Sequence, residues 1–211
     1  MNIIQKLNSN FKENKIFYLL VLSFFFIGIL LGSYTIKYMD RVNANDLSNY
    51  FTEFIKSLDI QSLKSGELLI NIIKSNIFII LIIILLGFTS FGWSIVLIID
   101  LIKGFTLGYT FSFLITTFEG KGIYVAIASI IPQNIFYIPF FIGISIVSLE
   151  ISSSKLKSKI FKLSANYKLK KEGIIIKYGF FLVLFLIGII VECYISPGLI
   201  KLVLTKAYKL T

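Results

Sequence analysis

Apolar and polar residues in this chain come in blocks, not in alternation. Long runs of Ile, Leu, Phe and Val, nearly free of charge, are separated by stretches rich in Lys, Asn and Ser. A run of roughly 18 or more apolar residues crosses the hydrocarbon core of a bilayer as a helix. No block shows the period-two alternation of an outer-membrane barrel. Five spans are predicted, over residues 16–36, 77–99, 101–118, 123–149 and 174–195. The expected fold class is therefore all-α: a polytopic membrane helical bundle of about five transmembrane helices, with short amphipathic helices in segments 37–76 and 150–173. The first span follows Lys6, Lys12 and Lys15 and could pass for a secretory signal. Its apolar region is too long and no small-residue cleavage site follows, so a retained anchor is expected.

The boundary between the second and third spans is the least marked. Between residues 77 and 118 the only charges are Asp100 and Lys103. That length suits two crossings joined by a tight turn, or a re-entrant element broken at Gly87, Gly92 or Gly104. An Asp at the bilayer centre costs about 2.5–3.5 kcal/mol on insertion scales. The cheapest place for Asp100 and Lys103 is thus an interfacial turn, where their spacing also lets them pair on one helix face. Glu150 and Glu192 are expected at the interface too, near the inner end of the fourth span and the outer end of the fifth. No chain of deep ionisable residues of the kind a proton relay needs is predicted.

Orientation follows from the lysines. Residues 150–177 hold eight Lys against two Glu. The positive-inside rule places this segment in the cytoplasm, and counting back places residues 1–15 there too. Segment 37–76, with five Lys/Arg and five Asp/Glu, then lies outside, as does the tail 196–211. Lys201, Lys206 and Lys209 in that tail run against the rule.

Composition narrows the chemistry. The 211-residue chain has no His, which removes His-based metal sites and the Ser-His and Cys-His catalytic arrangements. Cys193 is the single cysteine, so no intrachain disulfide forms, and it reads as a small packing residue. No cofactor, metal site or enzymatic activity is expected. The net charge of +10 partly reflects a composition rich in Ile, Lys, Asn and Phe. Basic residues beside a span are ordinarily topology determinants, so no nucleic-acid partner is expected.

Four stretches are candidates for function. Leu47, Tyr50, Phe51, Phe54, Ile55 and Leu58 recur at helical spacing and form one apolar stripe, either a docking surface for an extracytoplasmic partner or a helix resting on the membrane. Leu156, Ile160, Leu163 and Tyr167 share a face flanked by Lys155, Lys157, Lys159 and Lys162, a pattern that attracts anionic lipid. In the fourth span Pro132, Gln133, Asn134 and Pro139 combine kinks with polar side chains, which either bind helices together or line a transport path. Gly104, Gly108 and Ser112 recur every four residues, as do Gly28 and Gly32, and allow close helix approach within a monomer or across a homodimer.

In order, these features resemble the stage II sporulation protein M family (SpoIIM). The resemblance rests on Asn76-Ile77, Leu86-Gly87, Lys103-Gly104-Phe105-Thr106-Leu107-Gly108-Tyr109, Lys121-Gly122-Ile123, Ile131-Pro132-Gln133-Asn134-Ile135 and Ile138-Pro139. A broader family of multi-span proteins commonly carries Pro-His-Gly and a later Glu where this chain has Pro132-Gln133-Asn134 and Tyr137, which favours the sporulation branch. The resemblance implies a non-enzymatic scaffold of endospore formation. It would sit in the mother-cell septal and engulfing membrane and recruit wall-hydrolase partners of the family's D and P types. The alternative is a transporter or channel subunit, with the fourth span lining the path.

Overall fold

The computed structural model describes residues 15–40, 46, 49, 65–117, 120, 122–161 and 171–208. Every regular element among them is helical. The order is α1 (Lys15–Lys37), α2 (Ser65–Gly87), α3 (Gly92–Thr117), α4 (Gly122–Phe161) and α5 (Lys171–Ile190). A π-helical turn (Val191–Ile195) then leads into α6 (Ser196–Tyr208). Five stretches are long and apolar enough to cross a membrane: Lys15–Lys37, Leu69–Gly87, Gly92–Thr117, Gly122–Leu156 and Ile176–Val203. The outward faces carry Phe26, Leu30, Phe78, Leu85 and Phe180, each more than half exposed. Apolar cover of that extent is ruinous in water and natural in lipid. The all-α membrane bundle expected from the hydropathy pattern is the fold.

The second and third helices meet elsewhere than expected. The break falls at residues 88–91, not at Asp100 and Lys103, and α3 runs unbroken past both charges and past Gly104. The reason is local. The connection Phe88-Thr89-Ser90-Phe91 carries no charge, so hydropathy does not mark it. It is marked by geometry instead. Phe88 N–H and Thr89 N–H close α2 with tightened bonds to the Leu85 and Leu86 carbonyls, at 3.0 and 2.9 Å. The Thr89 hydroxyl donates to Leu86 as well, at 2.8 Å. Gly92 then passes so close to the Leu86 carbonyl that a Cβ there would overlap it. The fifth crossing is also longer than the pattern suggested. Ser196-Pro197-Gly198 reads as a stop, yet Pro197 lies in the first turn of α6, where a missing N–H is tolerated. Glu192, expected near the outer interface, consequently lies well inside the Ile176–Val203 crossing. The α4 helix runs without a break through Pro132 and Pro139 and on through residues 150–161.

Packing is organised by two features. The first is a close parallel contact of α1 with α3. A Cβ on Gly28 would strike the Leu101 carbonyl, and one on Gly32 the Phe105 carbonyl. From the other side, a Cβ on Gly104 would strike the Phe25 carbonyl and one on Gly108 that of Ile29. Four interleaved glycines thus bring two backbones into van der Waals contact, the membrane alternative to hydrophobic burial. Ser33 adds a bond from its hydroxyl to the Gly108 carbonyl at 3.3 Å. The second is α4, the central helix. Phe140, Phe141 and residues 143–149 are all buried. Around it gather Val21, Ile83, Val96, Leu97, Phe185 and Ile189 from the other four crossings. Phe140 stacks on Phe185 with ring centroids 4.9 Å apart.

A leucine at Gly104 forces α1 and α3 apart, whereas one at Gly179, which has open space around it, does not. We expect Gly104→Leu to destabilise the bundle by about 1–3 kcal/mol or more, and Gly179→Leu to change stability little. Unfolding in mixed detergent micelles measures both; equal effects would disprove the glycine contact.

Candidate functional site

The side chains that bear chemistry line up along α4. Near the end of the bundle that holds Lys15 and Lys155, the Ser152 hydroxyl donates to the Thr89 carbonyl at 2.7 Å and accepts from Trp93 N–H at 3.0 Å. Lys155 donates to the Phe88 carbonyl at 2.8 Å and lies 5.3 Å over the Phe88 ring. Together they pin the 88–91 turn. Glu150 forms a salt bridge with Lys177 at 3.0 Å. The Ser148 and Tyr178 hydroxyls share a hydrogen bond of 3.0 Å. One turn deeper, the Ser145 hydroxyl donates to Asp100 Oδ1 at 2.7 Å. At the level of Phe141, Lys103 lies 4.5 Å over the ring and donates to Asn76 Oδ1 at 3.4 Å. Next, the Tyr137 hydroxyl donates to Glu192 Oε2 at 2.6 Å. Last, the Ser196 hydroxyl donates to Gln133 Oε1 at 2.7 Å. Positions 133, 137, 141, 145, 148 and 152 recur at three- and four-residue steps, so they form one stripe.

The local backbone explains the far end of this seam. Ser196 N–H bonds to the Val191 carbonyl, five residues back. Pro197 follows at once and cannot continue the ordinary bonding pattern. The wider π turn absorbs the mismatch, as such turns often do at functional positions. It sets Glu192 against Tyr137 and Ser196 against Gln133. Gly188, one turn earlier, gives the Tyr137 ring its space, since a Cβ there would sit 2.5 Å from the ring. Gln133 also bonds back to the Ser129 carbonyl, and Asn134 Nδ2 to the Ile130 carbonyl at 2.7 Å. Both amides reinforce the turn that Pro132 weakens.

Asp100 is the least provided for. It is 2% exposed, and its Oδ2 has no hydrogen-bond partner. Eight residues along α3 from Gly92 place it about 12 Å into the span at 1.5 Å per residue. It makes no ion pair with Lys103, the pairing their spacing suggested; Lys103 turns to Asn76 and is attracted to Glu192. Three ionisable side chains therefore lie inside the bundle where none was predicted. The signal available was simple: an ionisable residue within a span is a functional candidate by default.

The other sequence candidates are placed as follows. Gly104 and Gly108 face α1. Pro132 is half-buried and Pro139 exposed on α4. Lys159 extends from the exposed end of α4 beside Lys155. The apolar stripe Leu47, Tyr50, Phe51, Phe54, Ile55 and Leu58 lies outside the described residues, as do Lys162 and the Lys157 side chain. Among the described residues no three of Cys, Asp and Glu converge as a metal site requires.

Five apolar crossings, four of them packed around the polar-striped α4, define a multi-pass membrane protein. The family model of stage II sporulation protein M matches residues 21–197, and the chain belongs to that family. No curated protein and no solved structure matches it.

The Tyr137–Glu192 bond is measurable in isolation. A double-mutant cycle of Tyr137→Phe and Glu192→Gln is expected to give a coupling energy of about 0.6–1.7 kcal/mol, the range of hydrogen bonds within membrane bundles. A coupling indistinguishable from zero would show that the π turn is held by something else.

Proposed function

We propose that this protein is a non-enzymatic membrane scaffold of endospore formation, which anchors peptidoglycan-degrading partners at the septal and engulfing membrane. Membership of the SpoIIM family supports a sporulation role. One structural observation favours a scaffold over a conduit: the polar groups of α4 that would line a path are taken up by hydrogen bonds within α4 and to Ser196 of α6. Gln133 is taken by Ser129 and Ser196, and Asn134 by Ile130. A transport path would need these amides facing water.

The proposed orientation puts the end bearing Lys15, Lys155, Lys159 and Lys177 in the cytoplasm, with anionic lipid as its partner. The other end, where α1 and α6 finish and α2 begins, then faces outside. Partner contacts would fall to the apolar stripe of residues 47–58 and to the lipid-facing flanks of α1, α2 and α5. Nothing in this reading needs a reacting group, since the scaffold contributes position and its partners the hydrolysis.

In-cell cross-linking from sporulating cells, followed by capture of the tagged chain, is expected to recover wall hydrolases. Recovery of none would contradict the scaffold. The conduit reading is separated by single cysteines at Gln133 and Asn134. We expect neither to react with a membrane-impermeant thiol reagent, while reaction at both would favour a water-filled path.

A further inference from the structure

We propose that Asp100 and Ser145 form an intramembrane proton-binding site, in which the Asp100 side chain is held as the neutral acid and exchanges its proton when the seam along α4 opens. The inference rests on charge and geometry and is independent of the scaffold role. Two carboxyl groups and one ammonium group lie away from the ends of the bundle: Asp100, which is buried, and Glu192 and Lys103, which are half-buried. Lys103 donates to Asn76 and lies over the Phe141 ring, and Glu192 accepts the Tyr137 hydroxyl. Neither forms a hydrogen bond or salt bridge with Asp100. Asp100 is left with one hydrogen bond, from Ser145, and an Oδ2 that touches no donor.

The neighbouring titratable groups supply no counter-charge. On α4 and α5, Glu150 is bridged to Lys177, and the Tyr178 and Ser148 hydroxyls share a hydrogen bond. On α1, Tyr18 lies in the field of Glu150, and Lys15 and Lys37 are exposed at the two ends of the helix. On α2, Lys74 is exposed and Asn76 is occupied by Lys103. An ionised carboxylate wants several donors, and burying one with a single donor and no cation is among the costliest arrangements in a protein interior. The acid form needs no counter-charge, and burying it with one hydrogen bond costs far less than burying the ion.

The binding step is elementary. Asp100 Oδ2 takes a proton from a hydronium ion of the aqueous phase; an O–H bond forms on the carboxyl as one breaks on the hydronium, water is released, and the summed charge of Asp100, Glu192 and Lys103 changes from −1 to 0. The Ser148–Tyr178 hydroxyl pair lies one turn from Ser145 toward the lysine-bearing end, on the side from which water would reach the site. Loss of the proton leaves an unpaired charge between α3 and α4 and favours their separation. The site thereby gives the bundle a state that responds to proton activity.

Infrared spectroscopy of the purified full-length protein tests this, in detergent and in lipid vesicles at neutral pH. The expected result is a protonated-carboxyl carbonyl band that shifts down in D₂O. It should be lost in Asp100→Asn, retained in Glu192→Gln, and moved to higher frequency in Ser145→Ala, which removes the bond to Oδ1. Absence of the band from the wild-type spectrum overturns the proposal, whatever the variants do. So does its survival in Asp100→Asn or its loss in Glu192→Gln.

Discussion

Inside a bilayer every polar group must find its partner within the protein, because lipid offers none. This single constraint explains most of the bundle. Many of the polar side chains that enter the membrane gather along one stripe of α4, where α3, α5, α6, the α2–α3 turn and the π turn supply partners. Ser152 meets the α2–α3 turn, Ser148 meets Tyr178 of α5, Ser145 meets Asp100 of α3, and Tyr137 meets Glu192 of the π turn. From Gln133 to Ser152 the stripe rises about 28 Å at 1.5 Å per residue, close to the hydrocarbon thickness. With its apolar sides buried as well, α4 is the helix against which the others are placed.

The glycine contact between α1 and α3 answers a different need. Hydrophobic burial does not distinguish protein from lipid tails, so two apolar helices associate through backbone proximity. Gly28 and Gly32 on one helix and Gly104 and Gly108 on the other provide it. The same contact holds α3 in register, and with it Asp100 opposite Ser145 and Lys103 opposite Asn76. Packing at one face of α3 thus positions chemistry at the other.

Much of this was legible in the sequence. Hydropathy blocks found the five crossings, and glycine spacing found the helix faces that approach closely. What escaped was any feature whose signal lies in geometry. Phe88-Thr89-Ser90-Phe91 ends one helix and starts the next with no charge to reveal it. The two charges beyond it then seemed the better turn, because a free-energy argument for isolated residues favours Asp100 and Lys103 in the interface. That argument omits the neighbours: Ser145, Asn76 and Phe141 come from other helices, far away in sequence. Glu192 was misplaced for a related reason. Ser196-Pro197 marks a stop by propensity, whereas a π turn lets the helix continue and keeps Glu192 deep.

The depth of Asp100 and Lys103 decides whether the seam along α4 exists, and labelling reads it directly. Single cysteines at Ser90 and at Ile102, in a chain whose Cys193 is replaced by Ala, are exposed to a membrane-impermeant maleimide on each face of sealed vesicles. With the turn at 88–91, position 90 labels from one face and position 102 labels from neither. Labelling at 102 with protection at 90 would return both charges to the interface and remove the seam.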